Sequence, residues 1–265
     1  MLCDAHAHLD DEKFAGRRNE VVAGAGKAGL TIIVNPGSDL ESSRQAVELA
    51  NLHDIVWANC GVHPHDAETW DTDTADEISR LLEDPKAVAV GEIGLDYYWD
   101  GPSHDRQKKA FLEQLDLAGR LNLPVVVHCR EAFADLEGCL KEMWPRAGVL
   151  IHCFSGGVQE ARTYLDLGAY ISIGGPVTFK NGLVAREVAE YVPANRLLPE
   201  TDAPYLTPEP FRGRRTNEPA LVKHVIDKLA ALKNRDPWEM AAVLTANCCA
   251  FFGLSLPVKL LVRTD

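Results

Sequence analysis

The stretch Ala87-Val-Ala-Val-Gly-Glu-Ile-Gly94 is a short apolar run that closes on a carboxylate. Read as a strand, it turns Val88, Val90 and Glu92 inward, because side chains alternate with period two. A carboxylate at the end of such a strand is costly to bury unless it is paired or metal-bound. Working outward, the same arrangement recurs in CDAHAHL (3–9), PVVVHCR (124–130), VLIHCFSG (149–156) and LLPETDAPYL (197–206), which present His6, His8, His128, His152 and Asp202. Each apolar run hands its polar residue to a loop. All six side chains can therefore project from one rim of a parallel sheet, as a (β/α)8 barrel requires of an active site at its C-terminal face.

The rest of the chain fits that frame. Strand-like runs occupy 2–8, 31–37, 55–63, 87–95, 124–130, 148–154, 169–174 and 197–202. Helical spacing fills 14–29, 40–51, 74–84, 104–121, 131–143, 158–167, 182–191 and 218–232. Strands alternating with helices imply parallel βαβ units, and eight such units close into a barrel more readily than they form an open sheet. A further helix is expected over 237–252, with Asp236 as N-cap and Pro237 in its first turn. Asn217 is placed as N-cap of the helix before it. The tail LSLPVKLLVRTD (254–265) is apolar enough to pack somewhere. With no linker in 265 residues, one α/β TIM-barrel domain over 1–265 is expected.

Composition narrows the function. Hydrophobic residues make up 46% and charged residues 25%, an ordinary globular balance. The apolar runs are too short to span a bilayer and no secretory signal is visible, so no membrane association is expected. Seven cysteines without a C-x-x-C pair indicate neither a disulfide framework nor a cysteine zinc site, and place the chain in a reducing cytoplasm. Cys129 and Cys153, one residue past His128 and His152, should point away from the site. A net charge of −12 argues against broad binding to duplex nucleic acid, but leaves room for a small site where metal ions supply the positive charge.

His6 and His8, two apart at a strand end, can grip one divalent ion, with Asp4 deeper and able to orient an imidazole. The two oxygens of Glu92 can bridge two ions, as in two-metal hydrolases. Asp202 ends strand eight, beside strand one in a closed barrel. It can share the ion of His6 and His8 and accept a proton from a bridging water. This donor set suits two divalent ions and does not choose among Zn, Mn and Mg. His63 and His65 in GVHPHDA crown strand three and can meet a substrate phosphate or add a ligand. Arg130 is placed as an anion clamp or a surface ion-pair partner. Arg214 and Arg215, in FRGRRTN (211–217), are placed as phosphate contacts or as solvated loop charge.

Taken together, DAHAHLD (4–10), GVHPH (61–65), GEIGLDYY (91–98), HCR (128–130), HCFSGG (152–157) and ETDAPYL (200–206) resemble the TatD family of metal-dependent deoxyribonucleases, with RRTNEP (214–219) a looser match. The motifs run in family order over nearly the whole chain. The resemblance implies a TIM barrel that hydrolyses DNA phosphodiesters, preferably single-stranded or short ends, as a 3′–5′ exonuclease, with no protein partner implied. It assigns His6, His8, Glu92 and Asp202 to one metal and Glu92, His128 and His152 to a second, with His63 on the substrate side. Ala5 and Ala7 stand where the family often has Thr and Cys, and Thr216 interrupts an Arg-Asn-Glu-Pro string; no ligand is removed.

Glu92, Asp202 and His63 are thus the expected catalytic residues. The competing reading is a bimetallic amidohydrolase-like enzyme acting on a small ester, lactone or amide. The resemblance leans away from it, since Glu92 holds the bridging position in place of a lysine. A metal-binding scaffold without catalysis is the third reading.

Overall fold

Residues 1–255 are described in the computed structural model. Eight strands follow one another around a single sheet in chain order. They are β1 Leu2–Asp4, β2 Leu30–Pro36, β3 Val56–Cys60, β4 Ala87–Asp96, β5 Val125–Arg130, β6 Val149–Ile151, β7 Tyr170–Ile173 and β8 Leu197–Pro199. Every neighbouring pair is parallel. The ring closes from the last strand to the first: Ala5 donates its N–H to the Pro199 carbonyl at 3.0 Å, and Ala7 bridges Ala203. The architecture is the expected TIM barrel.

The helices are α1 Arg18–Lys27, α2 Leu40–Leu52, α3 Thr72–Leu81, α4 His104–Leu121, α5 Phe133–Glu142, α6 Val158–Asp166, α7 Leu183–Tyr191, α8 Val222–Leu232 and α9 Pro237–Phe252. The starts of α2, α3, α4 and α9 follow from side chains that satisfy orphan N–H groups of the first turn. Asp39 accepts from Ser42 N–H at 2.7 Å, Asp71 from Thr74 N–H at 2.8 Å, and Asp236 from Trp238 N–H at 2.9 Å. Asp236 is the N-cap the sequence indicates. Asn217 is not: α8 begins at Val222, after a short 3-10 turn. The Asn217 amide is buried instead and donates to the carbonyls of Thr201 and Tyr205 at 2.9 and 2.7 Å. Holding the long loop after β8 satisfies more buried polar groups than capping a helix would.

Two apolar layers hold the barrel. Ile32, Val34, Val88, Val126, Leu150 and Leu198 fill its interior. Their strand neighbours Ile33, Val125, Val127, Val149, Ile151 and Leu197 pack outward with the helices. Burying one such side chain contributes ~1.5–3 kcal/mol. The end of α9 brings Phe251 and Phe252 into the inner cluster, closing the barrel at the end opposite the C-terminal rim. Strand β4 departs from strict alternation. Its register shifts against both neighbours, so Val88 and Ala89 join the inner cluster while Val90, expected to face inward, packs with the helices. Gly94, at φ +144°, lets β4 run against the His128 carbonyl of β5, where any Cβ would collide. The expected packing of the tail falls mainly on 256–265, outside the described residues.

Candidate active site

The six expected ligands meet at the C-terminal rim, where all but the fully buried His6 line the bottom of a cavity of about 910 Å³. Glu92 is the centre. Its Oε1 lies 2.9 Å from His152 Nε2, 3.0 Å from His128 Nδ1 and 3.5 Å from His63 Nε2. Its Oε2 lies 3.2 Å from His6 Nε2 and 3.8 Å from His8 Nε2. Asp202 Oδ1 stands 3.6 Å from His8 Nε2 and 4.0 Å from His6 Nε2. The two halves touch where the His6 ring stacks on His152, centroids 3.9 Å apart.

Local backbone explains how these side chains converge. Glu92 and His128 lie within strands; His6, His8, His152 and Asp202 lie just beyond the shorter strands β1, β6 and β8. Ala7, fixed between Val34 and Ala203, presents His6 and His8 from the extension of β1. Asp202 adopts φ +54° and donates its N–H to the His6 carbonyl at 2.9 Å, bringing strand eight's ligand onto strand one's. Asp4 does not orient an imidazole. It accepts the Thr201 hydroxyl at 2.6 Å, the Thr201 N–H at 2.9 Å and the His6 N–H at 3.3 Å. Burial outweighs those bonds and pushes its carboxyl up to about 8.

The electrostatics are those of buried carboxylates and imidazoles that set one another's charge. Burial opposes charge on Glu92, yet His152 and His6, with hydrogen bonds from His128 and His152, hold its carboxyl well below the usual range. Burial likewise opposes protonation of His8, but Asp202 and Glu92 push its imidazole up to about 9. His152 is raised by Glu92 and Glu200 against the same burial. His63 moves the other way, lowered by burial and by the neighbouring His128.

His63 and His65 both line the cavity, their ring centroids 4.5 Å apart. Arg130 lines it too, its guanidinium over the Tyr98 ring at 3.9 Å. Arg214 and Arg215 are exposed and line no part of it; Arg214 lies over Phe211 at 4.4 Å. Cys129 packs with the outer core residues, as expected, but also touches the cavity wall. Cys153 does not pack outward: β6 ends at Ile151, the backbone reaches φ +43° at Cys153, and the residue lines the cavity. Two carboxylates escaped the sequence reading. Asp96 is buried at the end of β4, 2.8 Å from His128 Nε2 and 3.3 Å from His65 Nε2. Glu200 is buried against Ser172 Oγ at 2.6 Å and lies 3.8 Å from His152 Nδ1. Each shares sequence parity with a ligand, Asp96 with Glu92 and Glu200 with Asp202, which is the signal that could have found them.

The family model described as TatD related DNase matches residues 3–253. The chain belongs to that family. It is 41% identical over 256 residues to an uncharacterized metal-dependent hydrolase, YabD, of Bacillus subtilis, covering 96% of this chain and all of that one. It is 37% identical over 259 residues to the 3′-5′ ssDNA/RNA exonuclease TatD of Escherichia coli K12, again 96% of this chain and all of the relative. The crystal structure of YjjV, a TatD homolog from the same organism, superposes with a TM-score of 0.90 at 32% identity, covering 96% of this chain and 98% of the other.

The residues present fit the metal dependence of this family. Three groups, His6/His152/Asp202, His6/His8/Glu92 and His63/Glu92/His128, each bring one donor atom per residue within 4.8 Å of the others. Nitrogen and carboxylate donors in this mixture suit borderline divalent ions. Cations here would take over the compensation that protons on His8 and His152 otherwise supply.

Proposed function

We propose that this protein is a metal-dependent nuclease that removes nucleotides stepwise from the 3′ ends of single-stranded DNA. The observation that carries the proposal is Glu92, whose two oxygens face separate histidine groups, His6 and His8 on one side, His128 and His152 on the other. A carboxylate so placed would let both histidine groups share it in holding divalent ions. His6, His8, Glu92 and Asp202 would hold one ion, and Glu92, His128 and His152 the other. When bound, the ions polarise the scissile phosphate and make water a competent nucleophile at neutral pH.

The side chains do the rest. Asp202, whose Oδ1 faces His6 and His8, takes the proton of the attacking water on its other carboxylate oxygen. Water attacks phosphorus and the P–O bond to the departing nucleotide breaks, so no covalent enzyme intermediate is needed. His63 acts on the substrate side. Its Nδ1 accepts the His65 N–H at 3.2 Å, so the proton resides on Nε2, the nitrogen turned into the site. A ring nitrogen that carries a proton donates to an anionic oxygen and does not ligate a metal. His65 and Arg130 line the same cavity and serve the flanking phosphate. Arg214 and Arg215, exposed beyond it, reach only a longer strand.

Substrate preference follows from charge. A protein of net charge −12 repels a long duplex, while a metal-loaded rim admits one or two phosphates. A cytoplasmic location is consistent with this substrate; among the described residues no helix is long and apolar enough to cross a membrane. The test is a time course on end-labelled single-stranded, blunt duplex and circular DNA. Stepwise shortening of the single strand from its 3′ end is expected. Cutting of the circle at an equal rate, or turnover of small esters without cutting of any DNA, would overturn the proposal.

A further inference from the structure

Beside the ligand cluster, the loop after β4 exposes two large aromatic rings, Tyr98 at 48% and Trp99 at 54%. Exposed aromatics of this size need a reason when they stand together at a cavity mouth. Here they pack edge to face, centroids 4.8 Å apart, and Trp99 lines the cavity. Arg130 lies behind them, 3.9 Å from the Tyr98 ring centre and 5.4 Å from that of Trp99. The three side chains therefore form one platform of π faces backed by a cation.

The platform is tied to the catalytic floor by a single carboxylate. Asp96 Oδ1 accepts the N–H groups of Tyr98 and Trp99 at 3.0 and 3.2 Å, while its Oδ2 meets His128 Nε2 at 2.8 Å. Arg130 and His128 are two residues apart on β5, which places them ~7 Å from one another along the strand. One nucleotide can touch both. Its phosphate would sit at the ligand cluster and its base at the rim.

We infer that Trp99, supported by Tyr98 and Arg130, is the seat for the unpaired base adjoining the scissile phosphate. This rests on the nuclease reading above and adds a reason for selecting single strands: a base can offer its face to Trp99 only after leaving its own duplex stack. Stacking on an aromatic ring is tolerant of base identity, so the seat selects for an unpaired end and little for sequence.

The experiment uses the full-length, metal-loaded protein and two short single-stranded oligodeoxynucleotides, identical except that one carries an abasic residue next to the scissile bond. The wild type should cut the abasic strand with kcat/KM lower by roughly ten-fold or more. In Trp99→Leu that ratio should fall to near one, with the loss on the intact strand appearing mainly in KM. Trp99→Phe should restore most of the discrimination. Equilibrium binding of the intact strand, read by fluorescence anisotropy, should weaken in Trp99→Leu and recover in Trp99→Phe. Equal cutting of both strands by the wild type, or undiminished discrimination in Trp99→Leu, would overturn the inference while leaving the nuclease reading intact. Failure of the wild type to cut either strand, beside rapid turnover of a small ester, would overturn both.

Discussion

Asp4 and Thr201 join the first strand of the barrel to the segment after the last through two hydrogen bonds, hydroxyl to carboxylate at 2.6 Å and N–H to carboxylate at 2.9 Å. Both residues are fully buried. One flanks His6 and the other Asp202, so the seam of the barrel and the meeting of these two site residues are the same contact.

Asp4→Ala should therefore destabilise the fold by ~2–4 kcal/mol, because it leaves a buried N–H and hydroxyl of Thr201 without partners. Asp4→Asn, which keeps the shape and an acceptor oxygen, should cost less. Denaturant midpoints of the two variants check this; equal stability of Asp4→Ala and wild type would refute the role of the seam.

Removal of metal should abolish hydrolysis and leave the fold largely intact. The layers packed around Leu150 and Ile151 bury apolar surface without help from the ligands, unlike a small domain that folds only on its metal. Circular dichroism and activity measured on chelator-treated protein, with metal analysis proving depletion, make the comparison. Full activity in depleted protein would be the contrary result.

Glu92→Ala and Asp202→Asn should each lower kcat by ~10²-fold or more, since one would contact both ions and the other the attacking water. They should differ in metal content. Glu92→Ala should lose metal from both positions and Asp202→Asn from one at most. Stoichiometry by elemental analysis separates the two.

His63→Ala should keep its full metal content and lose substrate turnover. The ring lies 3.5 Å from Glu92, close enough to be mistaken for a ligand. Its Nδ1, occupied by the His65 N–H, is what argues otherwise. A variant that loses an ion would move His63 into the ligand set.

Much of this was legible before any coordinates. Periodicity located each barrel strand and all but the ends of its helices, because alternating apolar runs and helical stripes are local properties. The six side chains that converge on the cavity floor could be named because each is a polar residue closing an apolar run. What escaped was set by contacts between strands. Val90 faces outward because β4 slips register against β3 and β5, and Cys153 enters the cavity because the chain bends left-handed past β6. Asp96 was missed by one residue: the strand expected over 87–95 runs on to Asp96 and carries it into the site. Asn217 satisfies local capping rules and is claimed by the loop after β8 instead.

The side chains that fill the barrel, Ile32, Val34, Val88, Val126, Leu150 and Leu198, with Phe251 and Phe252 beneath them, make it a cup and not a tube. A polymer end that reaches Glu92 has no exit beneath it, so it cannot be pulled through as shortening proceeds. The released fragment and the remaining strand must leave by the mouth through which they came.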